Sequence, residues 1–198
     1  MVAIPTVGVL ALQGAFARHA KALEACGVTT AEVRRPEHLD GVDALVLPGG
    51  ESSTMSMLLE RGDLFDPVAK RLADGMPALG TCAGMILLSS EILDGRPDQR
   101  CFGAVDISVR RNAYGRQVDS FEADLDLSSA GVDDPTVPFH ASFIRAPVVE
   151  RRGEGVTVLA EVDGRPVLCA SGPVMVAAFH PELSDDLRIH RRFLEEVL

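Results

Sequence analysis

Along the first half of the chain, short unbroken apolar runs alternate with stretches in which apolar residues recur every three or four positions. Val7 to Leu12 is one such run and leads into Gly14; Phe16, Ala20 and Leu23 follow at helical spacing up to a stop at Gly27. Val28 to Val33 predicts a second strand and Ala44 to Leu47 a third, closed by Pro48-Gly49-Gly50. Ser52 or Ser53 is expected to cap a helix carrying Met55, Leu58 and Leu59, which Gly62 ends. A further helix is expected around Phe65 to Leu72, a strand over Pro77 to Gly80 and another helix from about Ala83. Strands that are apolar throughout are buried on both faces, so this half predicts a parallel sheet with helices on either side.

From Cys101 to Phe179 the pattern changes to short β-rich runs separated by Gly, Pro, Asn or Asp. The main ones are Val105 to Val109, Val118 to Phe121, Val156 to Glu161, Val167 to Ala170 and Val174 to Phe179. They read as antiparallel additions to the same sheet. Ser184 and two aspartates then open a last helix, with Leu187, His190 or Arg191, Leu194 and Leu198 along one face. No repeat, low-complexity tract or linker interrupts the 198 residues, and a single domain over residues 1–198 is expected.

Composition narrows the function. A formal net charge of −10 without a basic stripe argues against binding a phosphate backbone, so no nucleic-acid partner is expected. No apolar run approaches the roughly 18 residues that cross a bilayer. Met1 to Leu12 lacks the basic start and cleavage site of a leader, and reads as a buried first strand. The four cysteines, Cys26, Cys82, Cys101 and Cys169, form no CxxC pair, which disfavours zinc and dithiol chemistry and fits a reducing, cytoplasmic setting. No metal or other cofactor is expected.

The candidate chemistry centres on Gly80-Thr81-Cys82-Ala83-Gly84, between an apolar run and a helix. This G-x-C-x-G spacing is the cysteine form of a nucleophile elbow. Glycines two positions before and after the tip relieve crowding in a turn so tight that the tip residue is strained. Amides at the following helix start lower a thiol's pKa and can hold a developing oxyanion. A thiol also needs a base, and a leaving amine needs a proton. His180 follows an apolar strand, at the edge where open α/β sheets build their sites, and Glu182 lies two residues on. Pro181 stiffens the link, so a carboxylate can hold one imidazole nitrogen while the other faces the thiol. Pro48-Gly49-Gly50-Glu51-Ser52 ends another strand, and the Gly50 and Ala83 amides are the natural oxyanion donors. His19 and His190 fall within helical patterns and His38 in a polar loop, so these three read as structural or solvated; His140 is a weaker competitor for a chemical role.

With these segments in order, the chain resembles the class I (triad) glutamine amidotransferases, and more closely the glutaminase subunits of pyridoxal 5′-phosphate synthase. The closer resemblance rests on Leu10 to Gly14, the Pro48 to Ser52 block, Gly80 to Gly84, Arg111 to Phe121, Phe143 to Pro147 and Ala178 to Glu182. It implies a flavodoxin-like three-layer fold and a Cys82-His180-Glu182 triad. It also implies glutamine contacts from Gly50, Glu51, Ser52, Arg111, Ile144 and Arg145, with Gln13 near the oxyanion side and the partner interface. The implied activity is hydrolysis of L-glutamine, with ammonia passed to a separate synthase subunit in a large hetero-oligomer; members of the family are generally weak glutaminases until that synthase docks. The alternatives are a glutaminase subunit serving histidine or cobalamin synthesis, a redox-sensing relative using its elbow cysteine, and a catalytically silent binding module.

Overall fold

The computed structural model describes residues 4–111 and 120–198. Twelve strands and five α-helices form among them: β1 (Thr6–Leu10), α1 (Phe16–Ala25), β2 (Thr29–Val33), β3 (Ala44–Leu47), α2 (Ser52–Arg61), α3 (Phe65–Ala73), β4 (Ala78–Thr81), α4 (Ala83–Leu88), β5 (Ser89–Ile92), β6 (Val105–Arg110), β7 (Ser120–Leu125), β8 (Phe139–Ile144), β9 (Val148–Arg152), β10 (Thr157–Val162), β11 (Arg165–Ser171), β12 (Val174–Ala177) and α5 (Arg188–Leu194). The main sheet has seven strands in the order β10-β11-β12-β4-β3-β1-β2. From β12 to β2 every pairing is parallel. The fold is α/β, a mostly parallel sheet flanked by helices. β3, β4 and β12 are buried at every residue, which is why they read as unbroken apolar runs.

Strand order places the site. The chain leaves β1 toward β2 on one side and later fills β3, β4 and β12 on the other, so β1 and β3 flank a topological switch point. Crevices outside the C-terminal ends of parallel strands at such a point are where open α/β sheets bind ligands. Gln13 follows β1, Gly49 to Ser52 follow β3, Cys82 follows β4 and His180 follows β12.

The second half differs from its expectation. Among the described residues only β10 and β11 are antiparallel additions to the main sheet, while the Val174 strand runs parallel to β4 and ends at Ala177. The Val105 strand pairs instead with β5 and β9 in a three-stranded sheet, and β7 pairs with β8 as a separate hairpin. Of the Val118 to Phe121 strand, Ser120 and Phe121 begin β7, whereas Val118 lies outside the described residues. Alternation along a strand reports which face is buried; it does not report which neighbour it pairs with. The last helix also starts later than Ser184. Ser184 Oγ accepts from Asp186 N, and the Asp186 carboxylate accepts from the backbone and guanidinium of Arg188, so residues 184–187 form a tight turn before α5. Leu198 lies past the end of α5 and is exposed.

The β7–β8 hairpin is pinned over the site by aromatic packing. Phe143 stacks on Phe121 with centroids 4.5 Å apart. Phe139 and Phe143 both meet Phe179, the residue before His180, with centroids 5.7 Å and 5.6 Å away.

Candidate active site

The elbow forms where β4 turns into α4. Cys82 sits at φ 50°, ψ −103°, a backbone region that side chains other than glycine's rarely adopt. The flanking glycines are there for space. A Cβ on Gly84 would stand 2.0 Å from the Leu47 carbonyl oxygen, and one on Gly80 would stand 2.7 Å from the Gly84 carbonyl. Cys82 N donates to Ala177 O at 2.8 Å, which ties the elbow to the end of β12.

His180 is fixed from two directions. Its backbone N–H donates to Ser142 O of β8 at 3.0 Å, and its ring lies against Gly49. A Cβ at Gly49 would come within 2.4 Å of the imidazole Cε1, so the first glycine of the pair makes room for His180. His180 Nδ1 lies 2.7 Å from Glu182 Oε1, and the Glu182 side chain is fully buried. Burial works against charging His180, but hydrogen bonds with Cys82 and Glu182 outweigh it and hold its pKa at about 10. For Glu182 burial pushes upward and is outweighed by His180 and His19, which keep the carboxyl well below the usual carboxylate range.

Cys82 and His180 share a cavity of about 240 Å³ with Gln13, Gly50, Glu51, Ser52, Ile86, Arg111, Ile144 and Arg145. All the residues implied as glutamine contacts therefore face one space. Glu182 lies behind His180, and Ala83, the first residue of α4, lies beside Cys82 without lining the cavity. Ile86 adds an apolar wall that the sequence did not single out. The volume suits a small metabolite, since pockets for drug-sized ligands run to about 300–1,000 Å³.

The polar wall is built around Glu51. It, and not Ser52 or Ser53, caps α2: its carboxylate accepts from Ser53 N at 3.1 Å, Thr54 N at 2.7 Å and Thr54 Oγ1 at 2.6 Å. Burial raises its pKa, but the Thr54 and Ser53 hydrogen bonds win and bring it to about 2. Arg111 Nη2 reaches the same carboxylate at 3.1 Å, and Arg111 Nη1 reaches Ser53 Oγ at 2.7 Å and Gln99 Oε1 at 2.9 Å. Gln99 also donates to Ser52 Oγ at 3.0 Å, so it joins the loop, α2 and Arg111. Nothing in its local sequence pointed to it. Gln13 Oε1 accepts from Glu51 N at 3.0 Å, which places the β1 loop against the β3 loop. Arg145 lines the cavity at φ 46°. Glu51→Ala is expected to lower stability by about 1 kcal/mol through loss of the cap. Urea midpoints of Glu51→Ala and Glu51→Gln measure this, with the glutamine variant, which keeps one acceptor oxygen, closer to the parent.

The other histidines are placed as follows. His38 accepts from Arg34 N in a 3-10 turn, and exposed His140 stands between Asp124 and Glu122 on the hairpin, away from the cavity. His19 and His190 are fully buried, and His19 contacts Glu182. The helical pattern of α1 gave no sign of that contact.

Comparison with known proteins gives the class and then the family. A crystal structure described as a glutamine amidotransferase has the same fold, with a TM-score of 0.88 and 48% identity, over 96% of this chain and 98% of that one. The pyridoxal 5′-phosphate synthase subunit PdxT of Nocardia farcinica is 57% identical over 198 residues, covering 98% of this chain and 86% of its own. The subunit of the same name from Mycobacteroides abscessus is 55% identical, covering 98% of this chain and 97% of its own. Residues 9–198 match the SNO glutamine amidotransferase family, and the chain belongs to that family.

Proposed function

We propose that this chain is the glutaminase subunit of a pyridoxal 5′-phosphate synthase, a single glutamine amidotransferase domain over residues 1–198 acting in the cytoplasm. The observation that carries this reading is the meeting of Cys82, His180 and Glu182 at one sheet edge, with Cys82 and His180 facing a cavity that also presents Glu51 and Arg111. The names of its relatives support the assignment of the partner.

Glutamine brings an amide, an ammonium and an α-carboxylate. The ammonium calls for a carboxylate such as Glu51, and the α-carboxylate for Arg111 or Arg145 and nearby polar groups, with Ser52 and Ile144 completing the walls. The sulfur of Cys82, with its proton on His180, attacks the side-chain amide carbon. The oxyanion of the tetrahedral intermediate is held by the Gly50 and Ala83 N–H groups, with Gln13 bracing the loop that carries Gly50. His180 returns the proton to the nitrogen, ammonia departs and a glutamyl thioester remains on Cys82. Water, deprotonated by His180, then releases L-glutamate and restores the thiol. No step calls on a metal or cofactor. Glu182 holds the imidazole with Nδ1–H toward itself and offsets the charge His180 gains. Ammonia protonates near neutral pH and is then no nucleophile, so a docked synthase with a closed route keeps it useful.

The test uses the chain with its cognate synthase subunit. A glutamine analogue carrying an electrophile at the amide position is expected to label Cys82 alone, read by peptide mass, and adding synthase is expected to raise ammonia release from L-glutamine. Labelling at another residue, or no ammonia release with synthase present, overturns the proposal.

A further inference from the structure

Behind the candidate triad lies a second polar chain. His19 from α1 is fully buried, and its Nε2 stands 3.1 Å from Thr81 Oγ1 and 3.2 Å from Glu182 Oε2. His19 Nδ1 stands 3.1 Å from Nε2 of His190 on α5, which is also fully buried. Four elements thus converge: α1, the end of β4, the turn carrying Glu182, and α5.

The hydrogen-bonding capacities fix a direction along this chain. Among the described residues no well-aligned donor reaches Glu182 Oε2, so the electrostatic partner of this buried oxygen is His19 Nε2. A lone pair on that nitrogen would face a carboxylate at 3.2 Å, so Nε2 carries the proton. Nδ1 of a singly protonated His19 then accepts, and His190 Nε2–H donates to it. His190 Nδ1, which has no partner among the described residues, is left as a bare acceptor and not as a buried N–H. Protonating His19 on both nitrogens would turn His190 around and leave Nδ1–H buried and unpaired. Burial, the largest cause, also holds the His190 pKa down at about 3, in keeping with a neutral ring.

The geometry points to His19 as a positioning residue for the glutaminase reaction, holding the Glu182 carboxylate against His180 with a neutral N–H and steadying Thr81 beside the nucleophile. This inference rests on the triad reading above. A neutral donor fixes the carboxylate's orientation without cancelling its charge, so the full charge of Glu182 remains available to His180 as it gains a proton. His190 acts one step further back by keeping His19 in the tautomer that faces Glu182.

The test combines kinetics with a spectroscopic readout on the chain plus its cognate synthase. Groups that orient a catalytic ligand typically contribute about 10- to 100-fold in activity, so His19→Leu is expected to lower kcat by that factor with KM unchanged. His19→Gln keeps an N–H near the same place and is expected to recover to within a few-fold of the parent. The two differ little in kcat once Glu182→Gln is present, because the charge that His19 orients has gone. In the proton NMR spectrum, the downfield His180 Nδ1–H resonance is expected to persist in His19→Gln and to weaken or shift in His19→Leu. A folded His19→Leu with parental kcat overturns the inference, as does a loss of equal size in leucine and glutamine variants or in the Glu182→Gln background. If His19→Leu fails to fold, His19→Gln decides: parental kcat and the NMR signal support the role, and loss of both in a folded protein overturns it. Cys82→Ala keeps the two proposals apart. If it releases ammonia as fast as the parent, the triad reading fails, while the NMR signal still reports whether His19 holds Glu182.

Discussion

Cys82→Ala is expected to reduce ammonia release from L-glutamine by at least about 10⁴-fold in the presence of the synthase, because nucleophile and base act as a unit and losing one forfeits the covalent route. What remains is attack by water in a cavity that still binds and polarises the amide. A coupled glutamate and ammonia assay measures the loss, and a variant within tenfold of the parent would remove Cys82 from the mechanism. The same position carries a stability prediction of opposite sense. At φ 50°, ψ −103° the residue sits where a side chain costs about 1–3 kcal/mol, a cost that alanine keeps and glycine escapes. Glycine gives back about 0.4–1 kcal/mol through a more flexible unfolded chain. Cys82→Gly is therefore expected to be inactive yet to unfold at higher denaturant than Cys82→Ala. The reverse order would show that the elbow stores no strain. A stability gain on deleting the functional group is what a strained functional site predicts and a merely packed core thiol does not.

The parts of this molecule that were legible in the sequence are those governed by local rules. β3, β4 and β12 are continuously apolar because both faces are covered, and each ends in a segment whose residue types advertise the turn: paired glycines, G-x-C-x-G, or His-Pro-Glu. Convergence followed from topology, since parallel strands deliver their C-terminal ends to one edge. Three strands went unread. β5 begins directly after α4 with no turn residue between them, β9 ends in Glu150-Arg151-Arg152, and β8 carries His140 and Ser142 on the face away from its buried Phe139, Ala141 and Phe143. β8 matters most, for it brings Ile144 and Arg145 to the cavity and holds the His180 backbone. His19 was invisible for a different reason. Its neighbour His190 is 171 positions away, and a histidine on a buried helix face looks the same whether it meets a carboxylate or a hydrophobe. The helix cap was misassigned between neighbours because Ser52, Ser53 and Glu51 all carry suitable acceptors. Only the structure shows the Glu51 side chain turned to Ser53 and Thr54.

The second large effect concerns pH, and its sign follows from which groups the fold charges and which it keeps neutral. His180, raised to about 10, binds its proton more tightly folded than unfolded. Its contribution is complete below the unfolded value of about 6.5 and is lost as pH rises toward 10. His190 does the opposite: held at about 3, it contributes fully above roughly 6.5 and loses that contribution as pH falls through the acid range. Glu182, held low despite burial by His180 and His19, contributes above about 4.5 and loses its share below that. Asp186, held low by Arg188 against burial, works in the same direction as Glu182. Glu51 is partly open to solvent, so screening reduces its share. Stability is therefore expected to peak near pH 6.5 and to fall on both sides, each fully expressed pKa unit corresponding to about 1.4 kcal/mol. Urea midpoints from pH 4 to 10 measure the curve. His190→Phe separates the limbs: it is expected to flatten the fall between about pH 6.5 and 4.5 while leaving in place the alkaline limb, to which His180 and, above about pH 9, buried Cys169 contribute. A parent protein whose stability keeps climbing from pH 6.5 to 9 would mean that His180 does not hold its proton there. A His180 neutral at rest would then owe the proton it passes to departing ammonia to Cys82, transferred as the sulfur attacks.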